Sequence, residues 1–212
     1  MQQAIMAIIL VGAIGVFIYE SARRFQWLKV GQPQVRWDNV GARIERFVIN
    51  VFGQKKLLQR GPRGLMHFLF FYGFIVLQTV MLDVVLRGVA GIEEPFPWTF
   101  VGIIQEVFSS LVLIALCMAI FQRYIKKNPN VKAHSEFDAL IVLVGIGGLI
   151  ITFFLDNAVL INEGHGTWPE RAASMPISNF FAGVIAGSPD SWHMIQVVSV
   201  WLHVILFTML MI

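Results

Sequence analysis

The chain has 212 residues, of which 57% are hydrophobic and only 14% are charged, and its formal net charge is +3. Soluble domains carry roughly 25% charged residues, so this composition excludes an ordinary soluble protein and favours a membrane protein. Fourteen of the sixteen Lys and Arg residues lie in two segments, Ser21–Gly64 and Gln122–Glu136. These segments flank apolar runs. The excess of basic residues is therefore explained by the orientation of membrane spans, and it does not indicate a nucleic-acid partner. The single cysteine, Cys117, excludes a disulfide framework or a cysteine-ligated cluster within these residues.

Five apolar runs approach or exceed the length needed to cross a bilayer, whose hydrocarbon core of about 30 Å takes about 20 helical residues. They predict transmembrane helices at about residues 4–19, 65–86, 101–124, 137–161 and 191–212. The predicted fold class is therefore all-α, a polytopic membrane protein with five transmembrane helices. We expect residues 1–212 to form a single membrane domain.

The basic residues also predict the orientation of the helices. Arg23, Arg24 and Lys29 follow the first predicted span directly, and the positive-inside rule then places the N-terminus outside and both basic segments in the cytoplasm. The short loop that contains Glu93 and Glu94 falls outside by alternation. We therefore expect a multi-pass protein of the cell's inner (cytoplasmic) membrane.

Two segments between the spans are also predicted to be helical. Residues 37–58 carry apolar side chains at helical spacing with basic residues on the other side, which predicts an amphipathic helix. This helix could lie in the inner membrane interface or form a docking face for a soluble domain. The stretch Ile177–Ala186, between Pro176 and Pro189, is too short to span and predicts a surface or re-entrant helix. The apolar positions of the first segment are Trp37, Val40, Ile44, Phe47, Val48, Val51, Phe52 and Leu58.

Two histidines lie inside predicted spans. Burial of a polar group in the hydrocarbon layer costs free energy, so such a residue usually has a bonding partner or a function. His67 lies just inside span two, and His203 lies well inside span five. Neutral imidazole is a regular axial ligand of haem iron, and helical bundles supply such ligands from facing helices. The alternative is a histidine hydrogen-bonded to a neighbouring helix. Helical spacing places Gln78 on the face of His67, and Ser199 on the face of His203. His193, near the outer interface, is a weaker candidate ligand, whereas His134 and His165 lie in loops, where we expect them to be solvated.

A family resemblance appears at these histidines. The run Gln59–Phe74, with the sequence QRGPRGLMHFLFFYGF, resembles the second span of the nitrate reductase gamma-subunit family. More closely, it resembles the membrane domain of heterodisulfide reductase-related iron–sulfur oxidoreductases, a branch that includes the electron-transfer flavoprotein:menaquinone oxidoreductases. Ala119–Tyr124 and Trp201–His203 fit the third and fifth spans of the same family.

The resemblance implies a gamma-subunit-like haem b bundle that passes electrons between a membrane quinone, menaquinone in this branch, and a cytoplasmic iron–sulfur module. His67 matches the cytoplasmic-side haem ligand on span two, and His203 matches the first histidine on span five. The diheme gamma subunits carry a second histidine about three turns further along span two, where this chain has Leu77 and Gln78. They carry another about five turns beyond the His203 position, and this chain stops before it.

Acidic residues near the predicted outer side add candidates for proton transfer. Asp83, Glu106 and Asp156 lie in or near spans. Quinol oxidation releases protons, so Asp83 and Glu106 are candidate members of a proton path. The alternative for all three carboxylates is that they reach nearby water.

The predicted function is electron transfer in a respiratory chain, by the membrane domain of a quinone-linked oxidoreductase with haem b. The expected partners are the bilayer, a quinone, an iron–sulfur domain or subunit, and an electron-transfer flavoprotein as a candidate. Two other classes stay open: an ion- or proton-conducting transporter, and a haem-free membrane anchor for a soluble redox enzyme. A transporter would favour helix breaks and inverted halves, which the sequence does not show.

The last predicted span ends at Ile212 without the basic cluster that flanks each other cytoplasmic span end. A chain terminus in hydrocarbon is costly, so we expect the natural chain to continue. The family resemblance adds that an iron–sulfur domain, with the cluster ligands absent here, would follow.

Overall fold

The computed structural model describes residues 2–32, 38–96, 98–126, 136–164, 166–185 and 187–211. Within these ranges the regular structure is entirely helical. Trp37, His134, His165, Ala186 and Ile212, which carried predictions, lie outside the described residues. The α-helices are α1 (Gln2–Trp27), α2 (Val40–Phe47), α3 (Lys55–Leu58), α4 (Pro62–Val85), α5 (Thr99–Ile120), α6 (Glu136–Glu163), α7 (Trp168–Ala172), α8 (Pro176–Val184) and α9 (Pro189–Met211).

The prediction of five membrane-spanning helices is confirmed. Helical segments long and apolar enough to cross a membrane cover Gln3–Trp27, Pro62–Ala90, Thr99–Ile125, Phe137–Glu163 and Pro189–Leu210. Large apolar side chains coat the outside of the bundle; Ile8, for example, is 72% exposed. Contiguous apolar surface on this scale suits lipid and not water. The chain is therefore an all-α, polytopic membrane protein.

Small residues let the spans approach one another closely, as is usual between membrane helices. α6 and α9 share the most extensive interface. At Gly148 of α6, an added Cβ would lie 2.5 Å from Cδ1 of Leu206 on α9. At Gly73 of α4, an added Cβ would lie 2.1 Å from Cγ2 of Val112 on α5. These glycines bring α4, α5, α6 and α9 together as a core of four spans.

α1 packs against this core through its first half. Met6, Leu10 and Ala13 are buried, in contact with the turn Leu86–Ala90 and with α9. Further along the helix, side chains such as Phe17 are exposed. α1 is therefore attached to the bundle mainly where α4 ends.

The bundle has two ends that are built differently. α7 and α8 pack against α6 where α4 and α6 finish and where α5 and α9 begin; we call this the Trp168 end. The opposite end, where α4 begins, is called the His67 end. The predicted surface or re-entrant helix corresponds to α8, which places Ser178 and Ala182 in the interior.

The amphipathic segment at the His67 end is helical, but it is not the single helix that the sequence predicts over residues 37–58. α2 continues through a π-helical turn at Val48–Phe52, and the chain then turns at Gln54, whose φ of 50° is left-handed. α3 follows as a separate short helix. The hydroxyl of Tyr72 in α4 donates a hydrogen bond to the carbonyl of Phe52, so this segment is attached to the start of the second span. Its apolar side chains, such as Phe47, are exposed.

Candidate functional site

A cavity of about 490 Å³ lies in the middle of the bundle and is lined by all five spans. We call it the central cavity. Its walls are mostly apolar and include phenylalanines from α1, α4, α6 and α9. The polar residues that line it are Gln78 on α4, Ser109 on α5 and His203 on α9. Ligand sites typically enclose about 300–1,000 Å³ between apolar walls with a few polar groups, so the central cavity has the size and lining of a ligand site.

His203 is held in a defined state beside this cavity. It is 7% exposed, and its Nδ1 lies 2.8 Å from Oγ1 of Thr152 on α6. Oγ1 of Thr152 also donates to the carbonyls of Gly148, at 2.9 Å, and Leu149, at 3.0 Å. A hydroxyl has one proton to donate; with that proton on a backbone carbonyl, Oγ1 accepts a hydrogen bond from Nδ1–H of the imidazole. In the neutral ring, Nε2 then carries the lone pair, which is the form in which histidine ligates a metal.

A smaller polar cavity of about 10 Å³ lies next to His203, toward the Trp168 end. Its volume is close to that of a single water site. We call it the polar cavity. His203 lines both the polar and the central cavity. The other polar residues around the small space are Asp83, Arg87, Gln105, Thr152, Asp156, Asn157, Arg171 and Ser199.

An ion-paired cluster forms one wall of the polar cavity. Nη2 of Arg87 donates a short hydrogen bond to Oδ2 of Asp156. Nε of Arg87 lies 2.9 Å from Oδ2 of Asp83, one turn earlier on α4, without the alignment of a hydrogen bond. Asp156 is 6% exposed, so the alternative that it reaches water is wrong. The cluster instead ties α4 to α6 inside the membrane.

Arg171 brings a second buried cation to the same cavity from α7. Its side chain is 4% exposed and stacks on Trp168, with the guanidinium carbon 4.1 Å from the ring centroid. Among the described residues, Nε of Arg171 and Oδ1 of Asp156 are buried without a hydrogen-bond partner. Desolvation lowers the pKa of Arg171, whereas the charges of Asp83 and Glu94 raise it. A guanidinium nonetheless stays charged in proteins.

At the Trp168 end the polar cavity adjoins an open vestibule of about 970 Å³. Arg87 and Trp168 line both spaces. The vestibule also receives His193, Gln196 and Trp201 from α9. A continuous row of polar groups therefore leads from the open vestibule, through the polar cavity, to His203 and the central cavity.

Glu106 has a different environment from the other acidic residues. It is 3% exposed, so the alternative that it reaches water is wrong. Its Oε1 accepts hydrogen bonds from the backbone N–H of Ile177, at 2.6 Å, and of Ser178, at 2.9 Å. Its Oε2 accepts from Oγ of Ser178 at 2.6 Å. Helix N-termini carry unsatisfied N–H donors that a carboxylate can cap, and Glu106 caps α8 in this way from α5. Its candidacy for a proton path stays a prediction.

His67 lies apart from His203. It is exposed and lines an open groove of about 1,470 Å³ between α4 and α5 at the His67 end, together with Arg60, Arg63 and Lys126. The two histidines predicted as haem ligands therefore face different cavities. Gln78, predicted on the face of His67, lines the central cavity with His203. Ligation by either histidine stays a prediction.

Sequence reasoning missed the two residues that organise the polar cavity, Arg87 and Arg171. The sequence does distinguish these two arginines, because they are the two basic residues that lie outside the segments Ser21–Gly64 and Gln122–Glu136. A lone arginine beside membrane spans needs a partner. For Arg87 that partner stands one helical turn away, at Asp83.

The environment of His203 fits a haem. An axial ligand requires a neutral imidazole whose other ring nitrogen is hydrogen-bonded, and Thr152 supplies that bond. A porphyrin requires an apolar space next to the ligand, which the central cavity offers. Within the described ranges no group of three or more His, Cys, Asp or Glu side chains is placed to hold a metal ion.

Comparison with known proteins identifies two curated relatives. The chain is 34% identical over 202 residues to "Probable iron-sulfur-binding oxidoreductase FadF" of Bacillus subtilis, a match that covers 91% of this chain and 27% of that protein. It is 22% identical over 204 residues to "EtfAB:quinone oxidoreductase" of Syntrophomonas wolfei, covering 88% of this chain and 28% of that protein. The chain thus spans about a quarter of the length of the curated relatives it matches. No family model and no solved structure matches it. The chain is therefore a membrane-embedded segment similar in sequence to part of two proteins named oxidoreductases, one of them iron–sulfur-binding.

Proposed function

We propose that this chain transfers electrons across part of the membrane, between a quinone and an iron–sulfur module, through a haem b in the central cavity. The observation that carries the proposal is His203: its Nδ1 is hydrogen-bonded to Thr152, and it lines a mostly apolar cavity to which all five spans contribute residues. When bound there, haem b would supply one-electron chemistry within the hydrocarbon layer. His203 would be an axial ligand, and the aromatic and aliphatic walls would exclude water.

Two further residues bear on the number of haems. Gln78 lines the central cavity with His203, at the place where the resemblance implies a second histidine in diheme relatives. His67, which faces the groove at the other end of the bundle, is proposed as the ligand of a separate haem near Arg60 and Arg63. Cations close to His67 would suit the carboxylates of a porphyrin.

The vestibule at the Trp168 end is the proposed quinone site, with menaquinone as the candidate. It is lined by two aromatic residues, Trp168 and Trp201, and by the hydrogen-bonding side chains of Arg87, His193 and Gln196. One curated relative is named a quinone oxidoreductase. In the direction of quinol oxidation, two electrons would leave one at a time for the haem, and two protons would pass to water. Quinone reduction would reverse both.

The electron partner on the other side is proposed to be an iron–sulfur domain or subunit, with an electron-transfer flavoprotein as the candidate donor or acceptor. One relative is named iron–sulfur-binding and the other names EtfAB, and this chain matches about a quarter of each. Cluster ligation takes several cysteines, and the present chain has only Cys117. The cluster would therefore be held by residues outside this segment.

We propose that the Trp168 end faces outward and the His67 end faces the cytoplasm of the cell's inner membrane, which places the N-terminus outside. The distribution of basic residues supports this orientation. In a Cys117→Ala background, Gln59→Cys and Glu170→Cys each place an exposed cysteine at one end. In intact cells, an impermeant maleimide is expected to label the second variant and to spare the first until the cells are opened. Labelling of both variants in intact cells would contradict the topology.

A reduced-minus-oxidised spectrum tests the function directly. The full-length protein, purified from haem-replete cells, is expected to show the α-band of haem b after dithionite and at least one haem per chain. Full oxidation of the reduced band by a soluble menaquinone analogue would support the quinone assignment. A colourless protein at full yield would overturn the proposal and favour the transporter or the haem-free anchor.

A further inference from the structure

The polar cavity separates the proposed haem site from the proposed quinone site, and its charges balance. Asp83 and Asp156 contribute two negative charges when ionised, while Arg87 and Arg171 contribute two positive charges. Buried net charge is costly in a low-dielectric interior, so a neutral cluster is the stable resting arrangement. An electron that enters the central cavity lowers the net charge beside the cluster by one unit.

A proton is the simplest ion that can restore the balance, and two carboxylates are placed to accept it. Oδ2 of Asp156 is bonded to Arg87, whereas Oδ1 is buried without a partner among the described residues. Oδ1 can therefore be protonated without loss of the bond to Arg87. Asp83 contacts the same guanidinium without an aligned hydrogen bond, so it offers a second position.

Neighbouring groups from the other elements do not compete for this proton. Arg87, in the turn that follows α4, and Arg171 on α7 remain charged at all relevant pH values. Nδ1 of His203 on α9 is engaged by Thr152, and α5 contributes the uncharged Gln105. Four titratable side chains line the vestibule itself, one layer further out, and could carry the proton to water: Glu93, Glu94, Glu163 and His193.

We propose that the Asp83–Asp156 pair binds one proton from the Trp168 end when the central cavity gains an electron, and releases it to the same end when the electron leaves. This rests on the proposed function. The step would balance, because a quinol or the iron–sulfur module would supply one electron to a haem held by His203, and one carboxylate would take up one solvent proton and become a carboxylic acid. Arg87, which lines both the vestibule and the polar cavity, marks the route. Toward the His67 end, the central cavity has apolar walls that offer no comparable route.

The test is a potentiometric titration of the haem in the full-length protein at a series of pH values. Each pH unit changes the proton activity tenfold, which for a one-electron couple corresponds to about 59 mV. The midpoint potential of the wild-type protein is expected to fall by up to this amount per pH unit within the titration range of the pair. Asp156→Asn is expected to flatten the dependence, and Asp83→Asn to shift or reduce it. Asp190→Asn, an exposed carboxylate at the same end, is the matched control and should keep the wild-type slope.

Each outcome decides between the two proposals. A haem whose potential does not depend on pH, or whose slope survives in both aspartate variants, overturns the proton site and leaves the electron-transfer function standing. A protein without haem overturns both. If Asp156→Asn fails to fold, Asp83→Asn carries the test, because that variant keeps the aligned bond between Arg87 and Asp156.

Discussion

Replacement of His203 by alanine is expected to remove the reduced α-band of the central haem b from the purified protein. His203 lines the cavity with Nδ1 hydrogen-bonded to Thr152, which leaves Nε2 as the ring nitrogen able to bind iron, and alanine offers no ligand atom. We expect a loss of at least one haem per chain, measured as the haem-to-protein ratio together with the dithionite-reduced spectrum. Membrane insertion should be retained, because five apolar spans remain.

Three further variants sharpen this result. Thr152→Val removes the partner of Nδ1, and loss of such a partner typically costs about 10–100-fold in metal affinity, so the haem should be retained less tightly and not abolished. His193→Ala, at the exposed start of α9, should leave the spectrum unchanged. His67→Ala reports separately on the groove at the other end. A wild-type spectrum at full haem content in His203→Ala would rule out this ligand.

The second large effect is expected at Arg87. Arg87→Gln leaves Asp83 and Asp156 without their shared cation inside the membrane. Loss of one partner of a buried ion pair typically costs about 3–5 kcal/mol, so this variant should unfold at a much lower temperature than the wild type in the same detergent. Arg23 provides the comparator: it pairs with Glu20 at 3.5 Å on the exposed surface of α1. Arg23→Gln should change stability by only about 0–1 kcal/mol.

A compensating variant separates charge from packing. If the cost in Arg87→Gln arises from uncompensated carboxylates, then Arg87→Gln combined with Asp83→Asn and Asp156→Asn should recover a substantial part of the lost stability. Residues in one ion-paired network are expected to show such non-additivity. Equal unfolding temperatures for Arg87→Gln and Arg23→Gln would contradict a structural role for the cluster.

The five spans could be predicted from the sequence because hydropathy acts over whole segments and does not depend on which neighbour a helix meets. The same holds for α8, where proline at its start and a short apolar run define a helix too short to cross the membrane. The amphipathic segment was predicted less well. Its periodicity is helical, but the break depends on one backbone conformation, at Gln54, that periodicity cannot reveal.

The candidate site was only partly predictable, for a related reason. Helical spacing correctly placed Ser199 and His203 on one face, and both line the polar cavity. Spacing cannot say which helix lies opposite, so it could not tell that Gln78 would share a cavity with His203 while His67 faces a different groove. The contact between Arg87 and Asp156 joins residues 69 positions apart, which no local pattern encodes.

The cap that Glu106 places on α8 has a consequence for the cooperativity of the molecule. Three hydrogen-bond donors at the start of α8 bind the carboxylate of Glu106, which lies about 70 residues earlier in the sequence. Each buried donor that loses its acceptor costs about 1–3 kcal/mol, so α8 cannot swing away from the bundle as an independent flap. Local opening at the Trp168 end is thereby coupled to the integrity of α5. α8 therefore belongs to the same folding unit as the membrane-spanning helices, although it is too short to cross the membrane itself.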